Sequence, residues 1–250
     1  MTTTPVLVAE NVVKELGSGA GLVIALKGVS IELVPGELTL LMGPSGSGKT
    51  TLLSILGCIM APTSGTLTIA GKQIAGLGPE ELARIRRDHI GFIFQSYNLF
   101  PTLNAIENVR IALDVRGITG FAATSRAEEV LRDVGLGHRL TNYPGNLSGG
   151  EQQRVAVARA IASSPDIVLA DEPTAALDSE NGHAVMALLS RIAKEQQRSV
   201  LAVTHDPRTL GYADRVVRIE DGKIVGEERR PEGLNAPEIT DLTKRRKIHA

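Results

Sequence analysis

The stretch Gly43-Pro44-Ser45-Gly46-Ser47-Gly48-Lys49-Thr50 constrains this chain more than any other. It fits the pattern G-x-x-x-x-G-K-[ST], whose glycines let backbone N–H groups turn inward around an anion. Residues 37–42 before it read as a strand, and residues 51–56 after it have helical apolar spacing. The pattern needs that order, because the helix N-terminus adds the positive end of a dipole to the loop's donors. Lys49 has the reach for the β- and γ-phosphates of a nucleotide, and the Thr50 hydroxyl is a ligand for Mg²⁺. Gly43 to Gly48, with Thr51 behind them, form the phosphate cradle. Taken alone, the loop implies a nucleoside triphosphate and nothing finer.

The 250 residues suffice for one large α/β domain or a lobe with a subdomain. Net charge is −1, which exerts no general pull on nucleic acid. The longest helix-like apolar run, Leu52 to Ala61, is half the roughly 20 residues a membrane span needs. A membrane role would therefore pass through a partner. Met1 to Pro5 lacks the basic and apolar regions of a signal peptide. Cys58 is the sole cysteine, so an intrachain disulfide or cysteine cluster is excluded, and it reads as a core residue on the helix after the phosphate loop. These features predict a cytoplasmic protein.

Residues 5–42 are rich in β runs, of which 29–33 alternates with the period of a half-buried strand. Residues 66–70 read as a strand, and a helix opens at Pro79 and runs through Arg87. A strand at 90–94 leads to Gln95. Between 96 and 148 the pattern turns helical, at 104–115 and 125–134, which predicts an inserted helical subdomain. A helix follows at 150–163. Strand and helix segments then succeed one another at 167–170, 181–195, 199–204, 208–212 and 215–219, which argues for a largely parallel sheet covered by helices. The expected organisation is one domain over 1–225, with a core of 1–95 and 149–225. Residues 226–250, rising in charge and ending near Lys244-Arg245-Arg246-Lys247, read as a tail; their basic run is a solvated segment or a contact for anionic lipid or an acidic surface.

Leu147-Ser148-Gly149-Gly150-Glu151-Gln152-Gln153-Arg154 resembles the signature of the ATP-binding-cassette (ABC) ATPases. The resemblance extends over about residues 5–225, with the family's other motifs in order. Gln95 resembles the Q-loop, Ile167 to Glu172 the Walker B strand, Ala176-Leu177-Asp178 the D-loop, and His205 the switch histidine. It implies an α/β P-loop NTPase core with a mostly parallel sheet, an N-terminal antiparallel β region and the inserted helical subdomain. It also implies roles. Asp171 and Glu172 end an apolar strand, where adjacent side chains point to opposite faces. They take different tasks: Asp171 holds Mg²⁺ indirectly and Glu172 acts as general base. His205 touches the γ-phosphate and orients the water. Gln95 completes the Mg²⁺ sphere and reports a γ-phosphate to the helical subdomain. Ser148, Gly149, Gly150 and Glu151 begin a helix, a second anion-binding end. In the family two subunits pack head to tail, so that this segment and Asp178 close on the partner's ATP.

One departure stands out. The family stacks adenine on an aromatic residue 25–30 positions before the phosphate loop, and Leu16 occupies that place here. No Phe, Tyr or Trp precedes Phe92. The base would pack on Leu16, Val23 or Ile24, which makes an NTP more secure than ATP.

Residues 82–87, 91–95, 98–99, 107–109 and 169–174 resemble the ATPases of macrolide-exporter, lipoprotein-release and glycolipid-exporter type. That subgroup implies ATP and Mg²⁺ as cofactors, a homodimer, and two copies of an integral membrane permease. A periplasmic or extracellular accessory protein and a position on the cytoplasmic face of the membrane go with it. A small-solute importer ATPase and a mechanical signalling subunit share the core motifs and stay open. A soluble ABC ATPase of DNA repair or translation does not fit a chain without coiled coils or zinc ligands.

Overall fold

In the computed structural model, which describes residues 4–230, the chain opens with two long strands, β1 (Leu7–Leu16) and β2 (Val23–Leu33). They pair antiparallel, with Leu7 opposite Leu33 and Leu16 opposite Val23. The chain then crosses to a second sheet with β3 (Leu38–Met42), before β4 (Ser64–Ile69) and β5 (Lys72–Gln73) complete the first, in the order β2-β1-β4-β5. The second sheet adds β6 (Ile90–Ile93), β7 (Ile167–Asp171), β8 (Ser199–Val203), β9 (Arg215–Glu220) and β10 (Lys223–Arg229). Its order is β10-β9-β3-β8-β7-β6, parallel throughout except for β10, which runs antiparallel to β9.

Every residue of β3 and β8 is buried, as a parallel sheet covered on both faces requires. The period of two then divides the interior. Leu40, Val168, Ala170, Val200 and Ala202 join one cluster with the helical side of the molecule. Leu41, Leu169, Leu201 and Val203 join another, with α1 (Lys49–Leu56) and the antiparallel sheet. The sequence expectation of a mixed α/β core with a mostly parallel sheet and an N-terminal antiparallel region is met.

The remaining helices are α2 (Pro79–His89), α3 (Ala105–Asp114), α4 (Gly120–Asp133), α5 (Gly149–Ala162) and α6 (Ser179–Gln196). Residues 96–148 hold α3, α4 and a 3-10 turn at Pro144–Asn146, and no strand. Asn104 caps α3 reciprocally with Glu107: each backbone N–H donates to the other's side chain, at 2.8 and 3.0 Å. Arg116, just past α3, donates to the carbonyls of Arg87, Asp88 and Ser163 and so ties this region to the ends of α2 and α5.

Three sequence expectations shift. Residues 208–212 lie in a 3-10 helix, Pro207–Tyr212, capped by Asp206. Cys58 is buried but lies beyond α1, in a left-handed turn at φ 54°. The sheet continues past residue 225, because β10 runs to Arg229. Charge there marks pairing rather than a solvated tail: Arg215, 1% exposed, meets Glu37 at 2.9 Å and Glu227 at 3.5 Å, and Arg229 meets Glu37 at 2.9 Å. The basic run 244–247 lies outside the described residues. Among the described residues no helix is long and apolar enough to cross a membrane.

Candidate functional site

The C-terminal ends of β3, β7 and β8 open into a cavity of about 680 Å³, where open α/β sheets bind ligands. The volume falls within the roughly 300–1,000 Å³ of small-molecule sites. The phosphate loop forms its floor. Gly48 sits at φ 100°, and a Cβ there would lie 2.6 Å from the Ala25 carbonyl oxygen, so only glycine lets the loop pass β2 and enter α1. Lys49 is 8% exposed, and its ammonium donates to the carbonyls of Gly43 and Pro44 at 2.7 Å each, which holds it against the loop. The Ser47 hydroxyl is buried in the same loop without a protein partner.

Opposite the loop stand Asp171, Glu172 and His205. Strand alternation would send Asp171 and Glu172 to opposite faces, yet both line the cavity. Glu172 takes a left-handed conformation, φ 46°, at the first position past β7, and its N–H donates to the Val203 carbonyl at 3.0 Å. That turn breaks the alternation and brings the second carboxylate round. Its Oε1 lies 2.8 Å from His205 Nδ1. A carboxylate only accepts, so Nδ1 carries the hydrogen and Nε2 is left for another partner. Asp171 Oδ1 faces the Thr50 hydroxyl at 3.5 Å, the long limit of a hydrogen bond. Burial first, and the Glu172 charge second, push the Asp171 carboxyl above the usual carboxylate range, against the pull of Thr50 and Lys49. A cation between Thr50 and Asp171 would relieve both costs. Among the described residues no group of three acidic, histidine or cysteine side chains forms a metal cage.

Gln95 lines the same cavity. The backbone beyond it is held in place: Tyr97 and Asn98 adopt positive φ, and Arg159 of α5 donates to both of their carbonyls at 2.7 and 2.6 Å. Leu16, Val23, Ile24 and Ala25, where β1 meets β2, line the cavity as well.

Of the residues singled out in the sequence, Leu16, Ser45, Gly46, Gly48, Lys49, Thr50, Thr51, Gln95, Asp171, Glu172 and His205 line this cavity together. Gly43, Pro44 and Ser47 stand behind it in the loop. Ser148, Gly149, Gly150, Glu151 and Asp178 do not line it. They form a second cluster. Ser148 and Glu151 cap α5 reciprocally at 2.8 and 3.2 Å, and Arg139 braces Glu151 at 3.0 Å. Gly150 packs so closely on Asn181 that any Cβ would collide with its side chain. Asp178 in turn accepts from the Asn181 amide at 2.7 Å. The starts of α5 and α6 are thus locked to one another.

Sequence reading passed over one part of the wall. The β9–β10 turn, Asp221-Gly222, reaches the cavity. Gly222 N–H donates to the Ser47 carbonyl at 3.1 Å, and its own carbonyl accepts from Lys27 N–H at 2.8 Å. An Asp-Gly pair between two β runs is a hairpin signal.

Residues 26–175 match the family model described as ABC transporter. The macrolide export ATP-binding/permease protein MacB of Marinobacter nauticus is 43% identical over 225 residues, 90% of this chain and 35% of that protein. Its namesake from Escherichia coli is 42% identical over 241 residues, 96% of this chain and 37% of that protein. The chain therefore spans about a third of the length of these curated relatives. The dimeric post-hydrolysis structure of the ATP-binding cassette MJ0796, bound to ADP and Pi, superposes with a TM-score of 0.83 at 41% identity, covering 90% of this chain and 99% of that one. The ADP conformation of the cassette MJ1267 gives 0.79 at 27% identity, covering 91% and 92%.

Proposed function

From the premise that this chain belongs to the ABC transporter ATPase family, we propose that it hydrolyses ATP to drive an exporter built on a membrane permease. The observation that carries this reading is the convergence of Lys49, Thr50, Asp171, Glu172 and His205 on one cavity. The phosphate loop and the N-terminus of α1 bind the triphosphate, with Lys49 turned from the loop carbonyls to the β- and γ-phosphates. Thr50 and Asp171, with Gln95, would hold Mg²⁺, which would supply positive charge to offset that of the triphosphate. Glu172 takes a proton from the attacking water, and His205 keeps the carboxylate aimed through the 2.8 Å contact while its Nε2 faces the γ-phosphate.

Ser148, Gly149, Gly150, Glu151 and Asp178 serve the nucleotide of a second copy in a head-to-tail homodimer. Their position outside the cavity of their own chain, and the dimeric cassette MJ0796, support that arrangement. The domain runs to the end of β10, with 96–148 as the subdomain that meets the permease. Two permease copies, an accessory protein across the membrane, and attachment at its cytoplasmic face complete the assembly. Hydrophobic compounds, lipids, lipoproteins and peptides are the proposed cargo, in line with relatives named for macrolide export. The test is Mg²⁺-dependent phosphate release by the purified chain, alone and with its co-purified membrane partner. Release that is absent under both conditions overturns the proposal.

A further inference from the structure

We infer that Asp221, in the β9–β10 turn, recognises the sugar of the bound nucleotide: its carboxylate accepts from the 2′ and 3′ hydroxyls of the ribose. This deepens the proposed ATPase and rests on it. The turn is built into the wall of the cavity. Glu220 pairs with Lys223, so Asp221 and Gly222 are the two central residues of a tight hairpin. Both take left-handed conformations, φ 46° and 73°, as a type I′ turn requires. Lys27 of β2 grips the turn twice. Its backbone N–H donates to the Gly222 carbonyl at 2.8 Å, and its ammonium meets Asp221 Oδ2 at 2.7 Å. On the other side Gly222 N–H donates to the Ser47 carbonyl of the phosphate loop at 3.1 Å. A Cβ on Gly222 would lie 2.7 Å from the Ala25 carbonyl oxygen, the same atom that a Cβ on Gly48 would approach to 2.6 Å. The turn and the entry to α1 therefore flank one atom of β2.

That contact places Asp221 where the phosphate end of the cavity passes into its apolar end. Outside the loop, α1, Gln95 and the Asp171–His205 cluster, the wall consists of Leu16, Val23, Ile24 and Ala25 with Asp221 and Gly222. Of these six, only Asp221 has a side chain that accepts a hydrogen bond. A nucleotide's sugar follows directly on its phosphates, so phosphates seated on the loop bring the sugar beside this turn. The two ribose hydroxyls are donors without a charge of their own, and a carboxylate is a fitting acceptor for them. Lys27 occupies Oδ2 and leaves Oδ1, and the Asp221 side chain is 86% exposed, so the remaining oxygen is open to a ligand. The same ammonium offsets the carboxylate charge, which would otherwise repel the phosphates nearby.

The experiment is isothermal titration calorimetry of the full chain, with Mg²⁺, against ADP, 2′,3′-dideoxy-ADP and pyrophosphate. Diphosphates avoid turnover during the titration. The wild type is expected to bind dideoxy-ADP more weakly than ADP by roughly three- to tenfold, the scale of one net hydrogen bond. Asp221→Gly suits the left-handed φ and keeps the turn. In that variant ADP is expected to fall to the level of dideoxy-ADP, the two agreeing within about twofold. Equal binding of the two nucleotides by the wild type overturns the inference, and so does a gap that persists in Asp221→Gly. Pyrophosphate has no sugar. A loss of pyrophosphate affinity in the variant as large as its loss of ADP affinity makes Asp221 a support of the loop, and also overturns the inference. Each of these outcomes leaves the ATPase standing. Failure of ADP and pyrophosphate alike to bind the wild type defeats both.

Discussion

Oε1 of Glu172 lies 2.8 Å from Nδ1 of His205, although the two residues leave different strands of the sheet. The left-handed turn at Glu172 makes the pairing possible, and the pairing makes the two residues one unit. Glu172→Gln keeps the shape of the turn and removes the base. The variant is expected to bind ATP as tightly as the wild type and to lose about 10²–10⁴ in turnover. His205→Ala should slow turnover in the same direction without weakening ADP binding. Phosphate release and nucleotide titration on both variants check this; wild-type turnover in Glu172→Gln rejects the assigned base.

Asp171 carries a stability cost as well as a function. Its carboxyl is partly buried beside the Glu172 charge. Asp171→Asn removes one of two neighbouring negative charges, so the nucleotide-free protein should melt higher, by roughly 2–4 °C for about 1 kcal/mol in a chain of this size. The same variant should lose the stabilisation that Mg²⁺ with ADP confers on the wild type. Thermal melts with and without Mg-ADP separate the two effects.

How much of this was legible in the sequence depended on what each residue had to do. The phosphate loop declared itself through glycine spacing. β3, β7 and β8 declared themselves as continuous apolar runs, because burial on both faces leaves no room for polar alternation. The left-handed conformation of Glu172 gave no such signal, since nothing in a carboxylate side chain announces a positive φ. β10 was hidden for the opposite reason. Its charges resemble those of a solvated tail, and only the fold shows Arg229 and Glu227 meeting Arg215 and Glu37. α4 starts at Gly120, five residues before the helical pattern read at 125; of those five residues only Ala123 is buried, so the first turn carried no apolar periodicity to mark it.

That charge cluster has a measurable consequence. Arg215 is almost fully buried against Glu37, itself 8% exposed. Removing one partner of such a pair costs about 3–5 kcal/mol when the other charge is left alone. Glu37 keeps Arg229 at 2.9 Å, so Arg215→Ala should destabilise in urea unfolding by less than that. Truncation after Val225, which deletes Glu227 and Arg229, should destabilise in the same direction by a smaller amount. A truncated chain as stable as the full one would show that β10 is dispensable.

Cys58 offers a test of the interior beneath α1. Burial pushes its thiol up to about 11, with Arg86 pulling weakly the other way. At pH 8 about one thiol in a thousand is then ionised, against roughly a quarter of ordinary thiols. Native protein should resist thiol-specific labelling at pH 8 and react fully once unfolded in urea. Rapid labelling of the native state would show that the turn after α1 opens.

Phe100 is the point at which the membrane partner is expected to couple. Its backbone is held on both sides by Asn108, which is fully buried: Phe100 N–H donates to Asn108 Oδ1 at 2.8 Å, and Asn108 Nδ2 donates back to the Phe100 carbonyl at 3.1 Å. Phe100 as a whole is 49% exposed. Of its neighbours, Leu99 packs against the interior, so the apolar run after Gln95 divides between core and surface. A rigidly held backbone presenting one large apolar ring is the geometry of an interface anchor. Phe100→Ser should therefore leave the melting temperature and basal hydrolysis of the isolated chain unchanged and abolish stimulation by the co-expressed permease. Asn108→Ala should instead lower the melting temperature, because three or more hydrogen bonds from one buried amide are lost. If Phe100→Ser co-purifies with the permease and is stimulated normally, the contact lies elsewhere. Phe121, 88% exposed at the start of α4, is then the next ring to test.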